Sequence, residues 1–337
     1  MIERHFGESS PLSLGVEEEL MILDAGTLEP AAGVGVLVRG AGALDLPGTL
    51  KTELHASVVE LTTPVCESVE EAVSCLRALR AAAAEIAAEH GLSVAAAGSH
   101  PTAPLESLPV VQEERYLSMI HEIGRAARRQ GVNGLHVHVG VESADACWER
   151  LESVLPWLPV VLAVSANSPF VDGDPSGMLS NRAPILAELP RAGAPPAFGS
   201  YAGWERWVER LVELGVMADY TRIWWDVRPH PKFGTLEIRI ADQPTSLERT
   251  ALLVRMLRNL VRDAPPGHAD RGDYLQNRWA AASAGLDAVL LHPDGARTAT
   301  ARDLACELLG SEAPEPEAFA QLRADDVVSD LVARTLG

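Results

Sequence analysis

The chain has 337 residues, 47% of them hydrophobic, which suffices for one large or two modest domains with a substantial core and argues against disorder as the default. A net charge of −19 argues against nucleic acid as a main partner and offers no basic surface to an anionic membrane. The four cysteines, Cys66, Cys75, Cys147 and Cys306, are far apart, without C-x-x-C or zinc-like spacing, and read as reduced, buried thiols.

Residues 1–12 read as a short lead without a signal-peptide h-region, so a cytoplasmic protein is expected. Ser13–Leu23 reads as a strand that turns Val16 and Glu18 one way, and Glu17 and Glu19 the other. Asp24–Gly48 reads mostly as loop, with room for a short helix. Thr52–Thr62 reads as a second strand, stopped by Pro64; its stretch Thr52–Leu61 carries acids near both ends, Glu53 and Glu60. Ser68 and Glu71 form a capping-box pattern opening an alanine-rich helix over Val69–His90, to which we assign no chemistry. Leu92–Ala97 reads as a buried strand, His100 as a turn residue, and Glu113–Gln130 as a helix.

Gly134–Gly140 places His136 and His138 on one face of a strand. Ala144–Ser165 is helical, interrupted by Pro156 and Pro159; its most apolar part, Leu158–Ala166, is far too short to span a bilayer. The polar turn that follows contains Asn167 and suits a binding loop, and Arg182 then sits among apolar neighbours, where it either reaches water or binds an anion. Tyr201–Leu214 is an amphipathic helix. Ile223–Pro229 reads as a strand with Asp226 and Arg228 on one face, and Lys232 lies in the link to the next strand. Thr235–Ile240 alternates strictly, giving Leu236, Ile238 and Ile240 one face and Glu237 and Arg239 the other. Thr245 or Ser246 caps a helix to about Asp263, and Asn277-Arg278-Trp279 opens another. The tail from Thr298 reads as two short helices with an acidic, proline-punctuated link over Ser311–Glu317.

A lone Glu-x-Arg on a strand is ordinarily a solvated edge. Four apolar strands that each carry acids or histidines on alternate positions are different, because such groups are costly to bury singly and together suit hard divalent cations. There is no Walker A pattern and no G-x-G-x-x-G opening a helix, so any phosphate chemistry is of neither the P-loop nor the Rossmann kind.

The stretches Leu14–Glu19, Glu60–Val65, Gly134–Gly140, Ser165–Phe170, Trp224–Pro229, Thr235–Arg239 and Asn277–Trp279 together resemble the glutamate–cysteine ligase type 2, or carboxylate–amine ligase, family. The resemblance implies an α+β, glutamine-synthetase-like fold: a curved, mostly antiparallel sheet with helices on its convex face and the active site on the concave one. It implies one catalytic domain over residues 1–337, with a helical tail from about 298. It implies ATP with two or three Mg²⁺ ions, or Mn²⁺ in their place, and amide formation through an acyl phosphate, with glutamate plus cysteine or another acid and amine as substrates. Carried over, Glu17, Glu19, Glu53, Glu60, His136 and Glu237 are metal ligands. Glu237 and Arg239 are catalytic, and Arg239, Lys232 and Arg228 contact the nucleotide. Arg182, Asn167, Arg228 and His138 are substrate contacts. Partners are small-molecule carboxylates and amines, with a homo-oligomer left open.

Met178–Leu189 and Asp270–Gln276 depart from the family pattern; if loops there shape the acceptor pocket, the acid or amine is other than glutamate or cysteine. Two other readings stand beside the ligase. A phosphotransferase on the same fold would release ADP without phosphate. A non-catalytic nucleotide- or small-molecule-binding protein would tolerate Glu237→Ala.

Overall fold

The computed structural model describes residues 2–265, 267, 269–315 and 324–336. Its centre is a seven-stranded sheet built from β1 (Leu14–Asp24), β2 (Thr49–Thr52), β3 (Val58–Thr62), β4 (Leu92–Ala95), β5 (Gly134–Gly140), β6 (Val227–His230) and β7 (Thr235–Asp242). The order is β6-β7-β5-β1-β3-β2, with β4 also pairing with β1, and all these pairings are antiparallel. β1 is the hub, bonded to β3, β4 and β5 along its eleven residues.

The alternation in the strands decides which face is covered. Val16, the Leu135, Val137 and Val139 row, and the Leu236, Ile238 and Ile240 row all enter one core. The helices Val69–Glu89, Ala144–Val154, Leu158–Ser165 and Leu247–Asp263 bury their apolar stripes against that face. Ser68 caps the first of these by accepting from the Glu71 amide, and Ser246 caps the last by accepting from the Arg249 amide.

Glu18 is the charged exception on the core side. It is fully buried and paired with Arg80 of the long helix, Nε and Nη2 each donating over 2.7 Å. Thr250 and Gln243 also donate to Glu18 Oε1. Arg80 Nη1 donates to the carbonyls of Thr245 and Thr335, so the C-terminal helix Ala324–Thr335 is tied to the centre of the sheet. The long helix, to which no chemistry is assigned from its sequence, carries this brace.

Several boundaries differ from the sequence reading. Thr52–Thr62 is two hydrogen-bonded strands joined through residues 53–57, so Glu53 lies in a loop. Glu113–Gln130 breaks at Gly124, whose φ of 72° stops the first helix at Ile123. The helix expected to open at Asn277 begins at Arg271, capped by Asp270. Asp226 and Arg228 do not share surroundings: Asp226 accepts from Tyr274 and Arg278, whereas Arg228 reaches Glu237. His100 is buried and structural, its Nδ1 accepting from the Thr102 and Ala103 amides. Pro316 and Glu317, at the end of the acidic link, lie outside the described residues. Among the described residues no helix is long and apolar enough to cross a membrane.

Arg80→Ala strands a buried carboxylate and should lower the unfolding free energy by about 3–5 kcal/mol in chemical denaturation. The double change Glu18→Leu with Arg80→Met should be less damaging than the single one.

Candidate functional site

The face of the sheet opposite the main helical core forms one wall of a cleft of about 530 Å³. Antiparallel register brings its charged residues side by side. Glu17 lies opposite His136, Glu19 opposite Glu60, and Glu237 opposite both His138 and Arg228. Glu53 enters the same cleft from its loop.

Glu237 is the most heavily paired of the acids. Arg228 grips it with two donors, at 2.6 and 3.1 Å, and Arg239 Nη1 also donates to it. Burial opposes its charge, but the two guanidiniums hold it well below the usual carboxylate range. Arg228 Nη1 also donates to the carbonyls of Thr221 and Ile223, so this side chain is largely committed to positioning Glu237. Arg239 is different: its Nε is buried without a hydrogen-bond partner, and it lines the cleft.

His136 Nδ1 lies 3.3 Å from Glu17 Oε2. Burial and the Arg239 charge push the imidazole down to about 3, leaving a neutral ring near pH 7. Desolvation opposes the charge of half-buried Glu17 too, yet the His136 contact and the His138 ring bring it to about 2. The remaining acids go the other way. Burial, with Glu60 adding to it, raises Glu19 to about 7 despite Arg182 and the Gly134 amide, which donates to it at 2.5 Å. Burial, Glu19 and Glu60 raise Glu53 to about 8. Burial and Glu17 raise Glu60. Among the described residues no three His, Cys, Asp or Glu side chains form a ready-made cage for one ion. The acids instead line a wall on which each can offer one or two oxygens.

β7 carries a bulge between Ile238 and Ala241. Arg182 Nη1 and Nη2 donate to the Ile240 and Arg239 carbonyls there, at 3.2 and 3.0 Å. Gly134 makes room for this guanidinium, since a Cβ at that position would overlap it. Arg182 therefore lines the cleft as a brace for the Arg239 backbone, with its terminal nitrogens already engaged.

Two expected contacts lie elsewhere. Asn167, expected as a substrate contact, does not line this cleft: its side-chain nitrogen donates to the Gln243 carbonyl and to Thr245 Oγ1 in a buried turn. Lys232 lines a second, more apolar cleft of about 390 Å³ with Leu14, Val16, Pro64, Val65, Phe233 and Thr235. Glu17 and His138 border both clefts. His138 Nδ1 lies 2.9 Å from Thr235 Oγ1, and its ring packs edge-on to His230 and Phe233.

Residues without an expected role also line the first cleft, among them Arg222, Trp224, His230, Tyr116 and Met119. The alternation that marks Arg228 runs back through Asp226 to Trp224 and Arg222 and could have found two of them.

The sequence profile of glutamate–cysteine ligase family 2 matches residues 13–327. The chain belongs to glutamate–cysteine ligase family 2. A Rubrobacter xylanophilus protein provisionally named glutamate–cysteine ligase 2-1 is 41% identical over 303 residues, 88% of this chain and 80% of the relative. A Herpetosiphon aurantiacus protein, provisionally glutamate–cysteine ligase 2, is 34% identical over 332 residues, 96% of this chain and 83% of the relative. The fold resembles that of a Francisella tularensis glutamate–cysteine ligase solved with AMP, with TM-score 0.64 and 16% identity over 97% of this chain and 84% of that one. It also resembles a bifunctional glutathione synthetase from Pasteurella multocida, with TM-score 0.63 and 15% identity over 96% of this chain and 48% of that one. The α+β architecture with a mostly antiparallel sheet expected from the sequence is the one observed, and these solved ligases share it. Family membership makes the chain an ATP-dependent carbon–nitrogen ligase.

In this family member, the raised acids make stability pH-dependent. Glu19 and Glu53 hold protons when folded that they release when unfolded above pH 4.5, so their contribution declines as pH rises until it passes about 7 and 8 respectively. The buried histidines with lowered values act oppositely, but only below the ordinary histidine pKa of about 6.5. Between about pH 7 and 8 the ligand-free protein should therefore lose stability, mainly through Glu53, by on the order of 1 kcal/mol. Glu53→Gln should flatten that slope in denaturant titrations at several pH values.

Proposed function

We propose that this chain joins a carboxylate to an amine in two steps on one catalytic domain, with ATP as phosphoryl donor and an acyl phosphate between the steps. The observation that carries the reading is Arg239: a half-buried guanidinium whose buried Nε has no partner, held beside Glu237 in an acid-lined cleft. Such a fixed cation suits the charge on a transferring phosphoryl group.

The donor chemistry of the wall fits Mg²⁺. That ion takes one or two carboxylates and completes its shell with phosphate oxygens and water, so no closed protein cage is needed. Glu17, Glu19, Glu53, Glu60, His136 and Glu237 would hold two or three such ions, or Mn²⁺, and the ions would neutralise the triphosphate. The acids raised by burial and mutual repulsion are those whose protons a dication would displace.

The second cleft takes the base and ribose in this reading, with Phe233 and Val65 as exposed apolar surface and Lys232 supplying positive charge. The triphosphate then passes Glu17 and His138 into the first cleft. There the donor carboxylate attacks the γ-phosphorus, an O–P bond forms, and ADP leaves. Attack of the amine forms the C–N bond, breaks the C–O bond to phosphate and releases a proton. Arg239 holds the phosphoryl oxygens, while Arg228 keeps Glu237 aimed and charged.

The experiment is ADP and phosphate release from MgATP with acids and amines supplied singly and in pairs, with product masses recorded. Equal ADP and phosphate that require a pair, with a product equal to the sum of both less water, support the ligase. ADP without phosphate overturns the amide-forming step. Glu237→Ala should abolish turnover, and Arg239→Lys should lower kcat by about 10²-fold or more while the protein stays folded.

A further inference from the structure

The acidic sheet is only one wall of the first cleft. Outside the sheet the cleft is lined by an apolar group from three separate segments, which forms a second wall: Met119 of the helix Glu114–Ile123, Leu186 and Leu189 from the stretch after Arg182, and Trp224. These four side chains belong to one small buried cluster, separate from the main core. Trp224 is held firmly, its amide donating to the Arg191 carbonyl at 2.9 Å and the Arg191 guanidinium lying 5.8 Å from its ring centre.

Two polar groups in this wall have capacity to spare. Gln130 Nε2 donates to the carbonyls of Ala126 and Ile185, at 2.9 and 3.0 Å, which leaves its buried Oε1 without a partner. Arg222 Nη2 donates to the Arg115 carbonyl and Ser118 Oγ, at 3.3 and 3.1 Å. Among the described residues no carboxylate pairs with Arg222, so it lines the cleft as an uncompensated cation.

We propose that this wall binds the amine substrate and selects an α-amino acid with a bulky apolar side chain over cysteine. The inference rests on the ligase reading and names the substrate class of that same site. The chemistry of the wall matches such a molecule part by part. Arg222 takes the α-carboxylate, a planar anion suited to a guanidinium fork. Gln130 Oε1 accepts an N–H and orients the amine toward the sheet. Met119, Leu186, Leu189 and Trp224 cover a side chain much larger than a thiol. The donor's reacting carboxylate belongs across the cleft, beside Arg239, so the wall facing it receives the partner that attacks. Leu186 and Leu189 lie in the stretch whose sequence departs from the family pattern, the place where a change of substrate would be written.

The test compares leucine, methionine and phenylalanine with cysteine as amine substrate, using ADP release and product mass across a panel of acids. We expect kcat/KM for the apolar amino acids to exceed that for cysteine by about tenfold or more, the range an apolar pocket can discriminate. Leucinamide, which lacks the carboxylate, should show roughly a tenfold higher KM than leucine or more, and Arg222→Gln should raise the KM for leucine similarly while the KM for ATP is unchanged. Leu189→Ala should narrow the gap between phenylalanine and cysteine. Turnover that prefers cysteine, or that treats leucinamide and leucine alike, overturns this inference and leaves the ligase standing. No turnover with any pair overturns the ligase reading and this one with it.

Discussion

The constraint on which the site depends is the crowding of negative charge on one face of an antiparallel sheet. Glu17, Glu19, Glu53, Glu60 and Glu237 share one cleft. Protein groups offset part of that charge: Arg228 and Arg239 secure Glu237, while the His136 ring lies within hydrogen-bonding distance of Glu17. Glu19, Glu53 and Glu60 are left raised, because burial and mutual repulsion outweigh the few donors they have. A sheet face in this condition is an incomplete electrostatic structure, and a polyphosphate with its dications is the kind of ligand that completes it.

The rest of the fold holds that face still. Behind it, apolar rows from β1, β5 and β7 enter the helical core, and the buried Glu18–Arg80 pair ties the hub strand to the long helix and the C-terminal helix. Beside it, Arg182 occupies the carbonyls at the β7 bulge and so fixes the backbone that carries Arg239. These braces explain why several arginines in and around the cleft are unavailable to ligands. Arg228 and Arg182 are largely engaged by protein partners, whereas Arg239 and Arg222 retain capacity within the same cleft. In the proposed reaction Arg239 serves the phosphoryl group and Arg222 the amine substrate.

Much of the acidic wall is legible in the sequence because a strand's period of two is a strong signal. Alternation puts Glu17 with Glu19, His136 with His138, and Glu237 with Arg239 on common faces, and each pair lines the cleft. What alternation cannot give is register: that Glu19 meets Glu60, or Glu237 meets Arg228, depends on how separate strands align. Alternation says nothing of Asn167, because a polar turn after a buried helix looks the same whether its amide faces the cleft or bonds the backbone of another segment, as it does here. Asp226 misleads because the strand is interrupted there, sending it to Arg278. The apolar wall is illegible for another reason. Met119, Leu186, Leu189 and Trp224 are ordinary core residues within their own segments, and only tertiary packing turns them toward one cleft.

In the reaction proposed here, transfer of a phosphoryl group to the donor carboxylate beside Arg239 is the step from which the rest of the chemistry follows. It is tested most directly by turnover with the donor acid labelled with ¹⁸O in its reacting carboxylate. An acyl phosphate requires one labelled oxygen to leave with inorganic phosphate, alongside unlabelled ADP. Label found in AMP, or label that never reaches phosphate while the amide forms, would contradict it.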